Sequence, residues 1–116
     1  MIKAIKYCHL YGVKIYVTVN TLVYDSEMKE ALEYVSFLHK NGVDALIVQD
    51  IGLIRKIRQT YPTLELHAST QCHNHSKDSV LEMKKLGVKR VVLARELSLE
   101  EIKNIDVDIE KEVFVH

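Results

Sequence analysis

The sequence predicts an α/β protein in which five parallel strands alternate with helices as an incomplete β/α barrel of the TIM type. Three observations predict it. Short runs rich in Val, Ile and Leu recur along the chain, segments with helical spacing separate them, and one glycine–valine corner occurs three times, at Gly12–Val13, Gly42–Val43 and Gly87–Val88. A corner repeated in this way indicates a strand–helix unit of about 20–30 residues.

The apolar runs predict where the strands lie. Their β-branched content is nearly continuous, which is typical of strands covered on both faces, as in a parallel sheet. The predicted strands are Lys14–Asn20, Asp44–Gln49, Leu64–Ser69, Arg90–Ala94 and Glu112–His116.

The segments between these runs predict helices with recognisable ends. The first helix covers Ile2–Tyr11 and ends at a glycine, and the second begins with Ser26 as its N-cap and ends at Asn41–Gly42. The third, Ile51–Tyr61, is stopped by the only proline of the chain. A fourth helix runs over 76–86, and the fifth opens with the motif SLEE at 98–101, a capping box.

Composition and charge set further bounds on the protein. The chain has 116 residues, 47% of them hydrophobic and 28% charged, which suits one globular domain over 1–116. Its formal net charge of +0 excludes an overall electrostatic attraction to nucleic acid or anionic lipid. Two cysteines, Cys8 and Cys72, do not make a disulfide framework, and no long apolar run predicts a membrane span. A cytoplasmic location is the expectation.

Polar residues at the ends of the predicted strands distinguish a barrel from an open sheet. Repeated strand–helix units form either architecture, and five strands would also complete a flavodoxin-like open sheet. In a barrel, however, the carboxyl ends of all strands converge on one mouth. Polar side chains follow every predicted strand, which favours the barrel: Asn20, Gln49, Asp50, His67, Ser69, Gln71, Arg95, Glu96 and His116.

Alternation along the strands agrees with that prediction. Tyr16, Thr18 and Asn20 form one set, whereas Ile15, Val17 and Val19 form an apolar set suited to contact with helices. Because a complete barrel needs roughly 200 residues or more, strands are expected to be missing on both sides. The strands at 14–20 and 112–116 would then be open edges, and self-association through them is the expectation.

Five strings taken together identify a resemblance to the collagenase-like (PrtC-type) peptidase family. They are YVTVNTL at 16–22, GVDALIVQDIG at 42–52, LHASTQ at 66–71, RVVLARELSLEEI at 90–102 and EVFVH at 112–116. Their order and spacing resemble the family over essentially the whole chain. The string QCHNH at 71–75 departs from the usual sequence of the family.

The resemblance implies a function in peptide-bond hydrolysis, with this chain as a fragment that is inactive in isolation. It also implies a β/α barrel with flanking strands and a cysteine-bearing segment after the last string. An alternative implied by other relatives is an iron–sulfur protein for oxygen-independent hydroxylation of RNA or a quinone precursor. The expected substrate is a polypeptide or RNA, and no cofactor is expected within this chain. A third hypothesis is that the chain is a non-enzymatic binding module.

The candidate site residues are the polar side chains at the strand ends. Three are candidate catalytic groups, and the others are candidates for substrate binding. His67 and Ser69 lie two apart on one strand face, and a serine near a histidine suggests a nucleophile and its base. Neighbours on one strand seldom reach that geometry, so polar interior residues bonded to each other are the competing interpretation. The catalytic candidates are His67, Ser69 and Glu96, and the substrate-binding candidates are Asn20, Asp50, Gln71, Arg95 and His116.

Three of these candidates also have structural interpretations. Glu96 could be a general acid–base or the ion-pair partner of Arg95, and Asn20 and Asp50 could form hydrogen bonds with loop amides. Cys72, His73 and His75 suggest zinc, but the ligands are compressed and no fourth is evident. A polar loop that leads into a helix explains them better, so no metal site is predicted.

Overall fold

The computed structural model describes all residues, 1–116, and consists of five helices and five strands that alternate along the chain. The strands are β1 (Tyr16–Val19), β2 (Ala45–Val48), β3 (Glu65–Ala68), β4 (Arg90–Val92) and β5 (Glu110–Glu112). The helices are α1 (Ile2–Leu10), α2 (Met28–Lys40), α3 (Ile51–Thr60), α4 (Lys77–Lys85) and α5 (Leu99–Asn104), and a 3₁₀ turn covers Thr70–Cys72.

The five strands form one parallel sheet in the order β1-β2-β3-β4-β5. This sequential order excludes the flavodoxin-like sheet, in which the order reverses at a switch point. The predicted series of parallel strands and helices is therefore confirmed. β1 and β5 are the two edges of the sheet, and closure of a barrel and self-association through these edges stay predictions.

One apolar core lies between the sheet and the helices. Alternate strand residues such as Val17, Leu46 and Leu66 are buried in it, together with residues of α2, α3 and α4. Because the buried residues of α2, α3 and α4 all join this single cluster, these three helices pack on one face of the sheet, as the alternation predicted. No helix is both long and apolar enough to span a bilayer.

The last strand begins and ends two or more residues earlier than predicted. The sequence predicts 112–116, whereas β5 covers 110–112. Arg90 of β4 lies opposite Glu110, and its guanidinium forms ion pairs with both Glu110 (2.9 Å) and Glu112 (3.5 Å). These ion pairs favour the observed register. Beyond Glu112 the ladder does not continue, and its last backbone hydrogen bond runs from the Leu93 amide to the Glu112 carbonyl.

Two predicted helix starts have different outcomes. The capping box at Ser98 and Glu101 is present, and α5 begins directly after it. Ser26, however, is not the N-cap of α2, which begins at Met28 with Glu27 in the cap position. The Glu27 carboxylate accepts from the Tyr24 amide at 3.1 Å, so this acidic side chain closes the preceding turn and shifts the start of the helix.

The corner between α2 and β2 is held to the corner before β1 by Asp44. One of its carboxylate oxygens accepts from the Ile15 amide at 2.8 Å and lies 2.8 Å from Nε2 of His9. Burial raises the pKa of Asp44, but the Ile15 amide and His9 outweigh burial, so the pKa is lowered from its ordinary value. The carboxylate is therefore stabilised by the fold.

Asp44→Asn should make the stability of the protein less dependent on acid. A carboxyl group whose pKa is lower in the folded state stabilises the fold above its unfolded pKa of about 3.9, and that stability is lost as the pH falls through the folded pKa. At pH 7 the free energy of unfolding of the variant should be about 1 kcal/mol lower than that of the wild type. Between pH 7 and pH 3 it should fall less than the free energy of unfolding of the wild type does. Urea unfolding at pH 7 and pH 3 measures both. Asp108→Asn, at a fully exposed carboxylate, is the control, and equal acid losses in wild type and Asp44→Asn would contradict the prediction.

Candidate active site at the carboxyl ends of the strands

The predicted site residues lie along the edge formed by the carboxyl ends of the strands. Asn20 follows β1, Asp50 follows β2, Ser69 follows β3 and Arg95 lies beyond β4. All strands are parallel, so these ends share one edge of the sheet. A hydrogen bond from the Asn20 side-chain nitrogen to the Ser69 hydroxyl, 3.3 Å long, joins the ends of β1 and β3.

Ser69 is a buried turn residue with its hydroxyl already engaged. Only 3% of it is exposed, and the hydroxyl accepts from the Gln71 amide at 3.3 Å as well as from Asn20. Its position as the cap of the 3₁₀ turn explains the contact with the Gln71 amide. The structure shows no hydrogen bond between Ser69 and His67. The nucleophile–base geometry that the sequence suggests is therefore not formed, and a catalytic role for either residue stays a prediction.

His67 lies on the face of the sheet opposite α2, α3 and α4, in a layer of polar side chains. It is 1% exposed, its Nε2 is 2.8 Å from a carboxylate oxygen of Glu65, and its ring packs edge-on against Tyr16 at 4.7 Å. The guanidinium of Arg90 lies 5.5 Å from the centre of the Tyr16 ring. Burial raises the pKa of Glu65, but His67 and Lys89 outweigh it and lower the pKa.

Asp50 uses both carboxylate oxygens on backbone amides. One oxygen caps α3 by accepting from the Leu53 amide at 2.8 Å, and the other accepts from the Val23 amide at 3.3 Å. The loop-amide interpretation of Asp50 describes this geometry. Asp50 also lines a cavity of about 380 Å³ that Gln71 and Cys72 share, so contact with a ligand stays a prediction.

Gln71 lies between two cavities at this edge. Besides the cavity with Asp50, it lines a smaller one of about 180 Å³ with His73, Arg95 and Glu96. Gln71 is exposed, and its side-chain amide has no hydrogen bond within the protein. The structure thus brings Gln71, Arg95 and Glu96 together, as their strand-end positions predicted.

Arg95 and Glu96 do not pair with each other. The guanidinium of Arg95 lies over the ring of Phe114, with its carbon 4.0 Å from the ring centre. Glu96 instead lies 3.7 Å from Nε2 of His75. His116 packs edge-on against Phe114, with ring centres 6.2 Å apart. Phe114 is thus the residue that links the two predicted binding residues Arg95 and His116.

Sequence reasoning missed several residues near the site. Phe114 is not among the candidates that the sequence suggests, since the sequence does not show that Arg95 would cover it. A cavity of about 710 Å³ beside β1 and α2 contains Asn20 and is otherwise lined by residues that the sequence did not single out, among them Tyr24 and Tyr34. Exposed aromatic residues on a loop and a helix carry no distinguishing sequence signal.

The loop after β3 is organised by its own hydrogen bonds. The Cys72 thiol lies 3.5 Å from the Val48 carbonyl and 3.6 Å from that of Gln49, and burial raises the pKa of Cys72. Nδ1 of His75 is 2.7 Å from the His73 carbonyl. No group of three or more His, Cys, Asp and Glu side chains has an arrangement suited to a metal ion.

The two cysteines of residues 1–116, Cys8 and Cys72, do not fit an iron–sulfur cluster of the usual kind, which is held by four thiolates. Cys8 lies on α1, and the half-buried thiol of Cys72 is directed at backbone carbonyls. A cluster held by other cysteines stays a prediction for a longer chain.

Comparison with known proteins gives consistent matches over the whole chain. It is 40% identical over 114 residues to the 23S rRNA 5-hydroxycytidine C2501 synthase of Escherichia coli. This match covers 97% of this chain and 17% of that protein. It is 37% identical over 123 residues to an uncharacterized protease of Methanocaldococcus jannaschii, covering 100% of this chain and 30% of that protein. It is 34% identical over 116 residues to the tRNA hydroxylation protein P2 of Bacillus subtilis, covering 98% and 38%.

The fold also matches a solved structure, that of the U32 peptidase Mk0906. The TM-score is 0.80 at 17% sequence identity, and the match covers 97% of this chain and 49% of that one. At this identity the likeness concerns the fold alone. The chain thus spans less than two fifths of the length of these curated relatives. Residues 1–116 match the model of peptidase family U32, which confirms the predicted resemblance, and the chain belongs to that family.

Proposed function

We propose that this chain is part of an enzyme that hydroxylates RNA. The observation that carries the proposal is the 40% identity, over 97% of the chain, to a 23S rRNA 5-hydroxycytidine C2501 synthase. Similarity to tRNA hydroxylation proteins of several bacteria, such as 38% identity over 111 residues to that of Escherichia coli, supports the same class of reaction. RNA hydroxylation, the alternative in the sequence analysis, thus has more support than peptide hydrolysis.

The side chains at the strand ends suit a nucleotide better than a peptide bond under attack. Arg95 and His116 are exposed, and both contact the ring of Phe114. Arginine guanidinium groups and aromatic rings are the groups on which unpaired RNA bases stack. Because the net charge is +0, binding would depend on such local contacts rather than on a broad basic surface.

Peptide hydrolysis is the second candidate function. The similarity to an uncharacterized protease and the name of the family support it. The buried Ser69 hydroxyl accepts two hydrogen bonds and contacts no base, which does not support a serine nucleophile. A peptidase would therefore need another nucleophile or an activated water.

Loss of hydroxylated nucleosides on deletion of the gene tests the proposal. RNA from a deletion strain and from the same strain complemented with the full-length gene would be digested to nucleosides and analysed by mass spectrometry. We expect a hydroxylated pyrimidine nucleoside to be lost on deletion and restored by complementation. Unchanged RNA, together with peptide cleavage by the purified protein, would contradict RNA hydroxylation and favour the peptidase.

A further inference from the structure

We propose that Arg95, whose guanidinium lies over the ring of Phe114, is a stacking platform for one unpaired nucleobase of the RNA substrate. This inference rests on the proposed function and specifies how the substrate is held. Enzymes that modify a base in RNA or DNA act on single strands or take the base out of the helical stack. Such a base needs a planar partner to replace the neighbours it has lost, and the structure offers one at the carboxyl end of the sheet.

The neighbouring ends of β4 and β5 create the platform. Val92 lies opposite Glu112, and the Leu93 amide donates to the Glu112 carbonyl. The segments that follow β4 and β5 therefore start side by side beyond the ladder. Continued at the same register, this alignment places Ala94 opposite Phe114 and Arg95 one position further along. The guanidinium carbon is 4.0 Å from the centre of the ring, which is the distance of a close cation–π contact.

Arg95 is free to contact a ligand. It is exposed, and it takes part in no ion pair or side-chain hydrogen bond of the protein, because the carboxylate next to it in the chain, Glu96, is directed to His75. Phe114 therefore contacts the guanidinium, and the guanidinium donors form no hydrogen bond or ion pair within the protein. Phe114 itself is 38% exposed, and His116 packs edge-on against its ring.

The cavity beside Arg95 favours a base over a phosphate group. Glu96 and Gln71 line this cavity of about 180 Å³ together with Arg95. A carboxylate repels a phosphate but accepts a hydrogen bond from an amino group such as N4 of cytosine, and an unpaired amide can both donate to and accept from a base edge. Stacking on Arg95 with edge contacts to Gln71 and Glu96 is therefore the arrangement that the site suits.

Binding of a single-stranded RNA oligonucleotide that carries one 2-aminopurine tests the platform in the full-length protein. Fluorescence anisotropy measures affinity, and the fluorescence of 2-aminopurine reports stacking of the base. Since base stacking contributes about 1–3 kcal/mol per base, Arg95→Ala and Phe114→Ala should each weaken binding about 5- to 150-fold and reduce the change in 2-aminopurine fluorescence. Arg55→Ala removes an exposed positive charge from α3 and should leave both signals unchanged.

Arg95→Lys separates stacking from charge. Lysine keeps the positive charge but lacks the planar group, so this variant should lose the fluorescence signal almost as fully as Arg95→Ala. Equal signals from Arg95→Lys and wild type would overturn the platform and leave a charge contact. Phe114→Leu keeps an apolar side chain and tests the ring where Phe114→Ala does not fold. Wild-type-like stacking in both Phe114 variants would also overturn it, whereas a wild-type protein that binds no RNA would contradict the proposed function itself.

Discussion

His67→Ala should lower the free energy of unfolding by about 3 kcal/mol, because it leaves a cavity and removes a hydrogen bond to a carboxylate. His67 is 1% exposed, its ring meets that of Tyr16 at an angle of 78°, and its Nε2 is 2.8 Å from Glu65. Removal of the ring would also leave Lys89, at 3.2 Å, as the one remaining ion-pair partner of the Glu65 carboxylate. Urea unfolding followed by circular dichroism measures the loss.

His116→Ala is the matched control for this substitution. His116 is exposed at the end of the chain, so its removal should change the free energy of unfolding by less than about 0.5 kcal/mol. A loss for His67→Ala as small as that for His116→Ala would show that the polar layer around His67 does not stabilise the fold. His67 would then be free for the catalytic role that its sequence position suggests.

Gly87→Ala should also lower the free energy of unfolding by about 3 kcal/mol. Gly87 has a φ of +81°, a left-handed conformation that costs other residues about 1–2 kcal/mol. An added Cβ would lie 2.9 Å from Nε of Arg58. That guanidinium cannot easily move, since it donates to the Pro62 carbonyl at 2.6 Å and to the Gly87 carbonyl at 2.9 Å.

Gly12→Ala separates the two causes. Gly12 has a φ of +69°, but a Cβ there meets no atom within 4 Å, so only the conformational cost of about 1–2 kcal/mol applies. In an Arg58→Ala background, Gly87→Ala should cost no more than Gly12→Ala costs in the wild type, a coupling that a double-mutant cycle measures. Equal losses for the two glycine variants in the wild type would show that Arg58 yields without cost.

Substitutions at the two ends of the sheet are expected to affect different properties of the protein. The corner at Gly87 and Arg58 lies where helices lead into strands, whereas Asn20, Ser69 and Arg95 lie at the opposite, carboxyl ends. In β/α barrels residues at the first end serve stability and those at the second serve function. Variants at Gly87 should therefore change stability, and variants at Arg95 should change RNA binding, each with little effect on the other property.

The sequence by itself determined the elements, their order and their faces. Strand and helix periods, the corners at Gly12, Gly42 and Gly87 and the capping box at Ser98 are local signals, because each depends on residues within one or two turns of each other. The family resemblance likewise depends on strings in order along the chain. These features were predicted and are found in the structure.

Only the tertiary structure decided which distant side chains meet. The contacts of Arg95 with Phe114 and of Glu96 with His75 join residues 19 and 21 positions apart, the differences between 114 and 95 and between 96 and 75. Such contacts depend on strand register and on the rotamers that long side chains adopt, and neither has a period in the sequence. For the same reason β5 is shifted toward Arg90, whose partners set its register through ion pairs that no local pattern encodes.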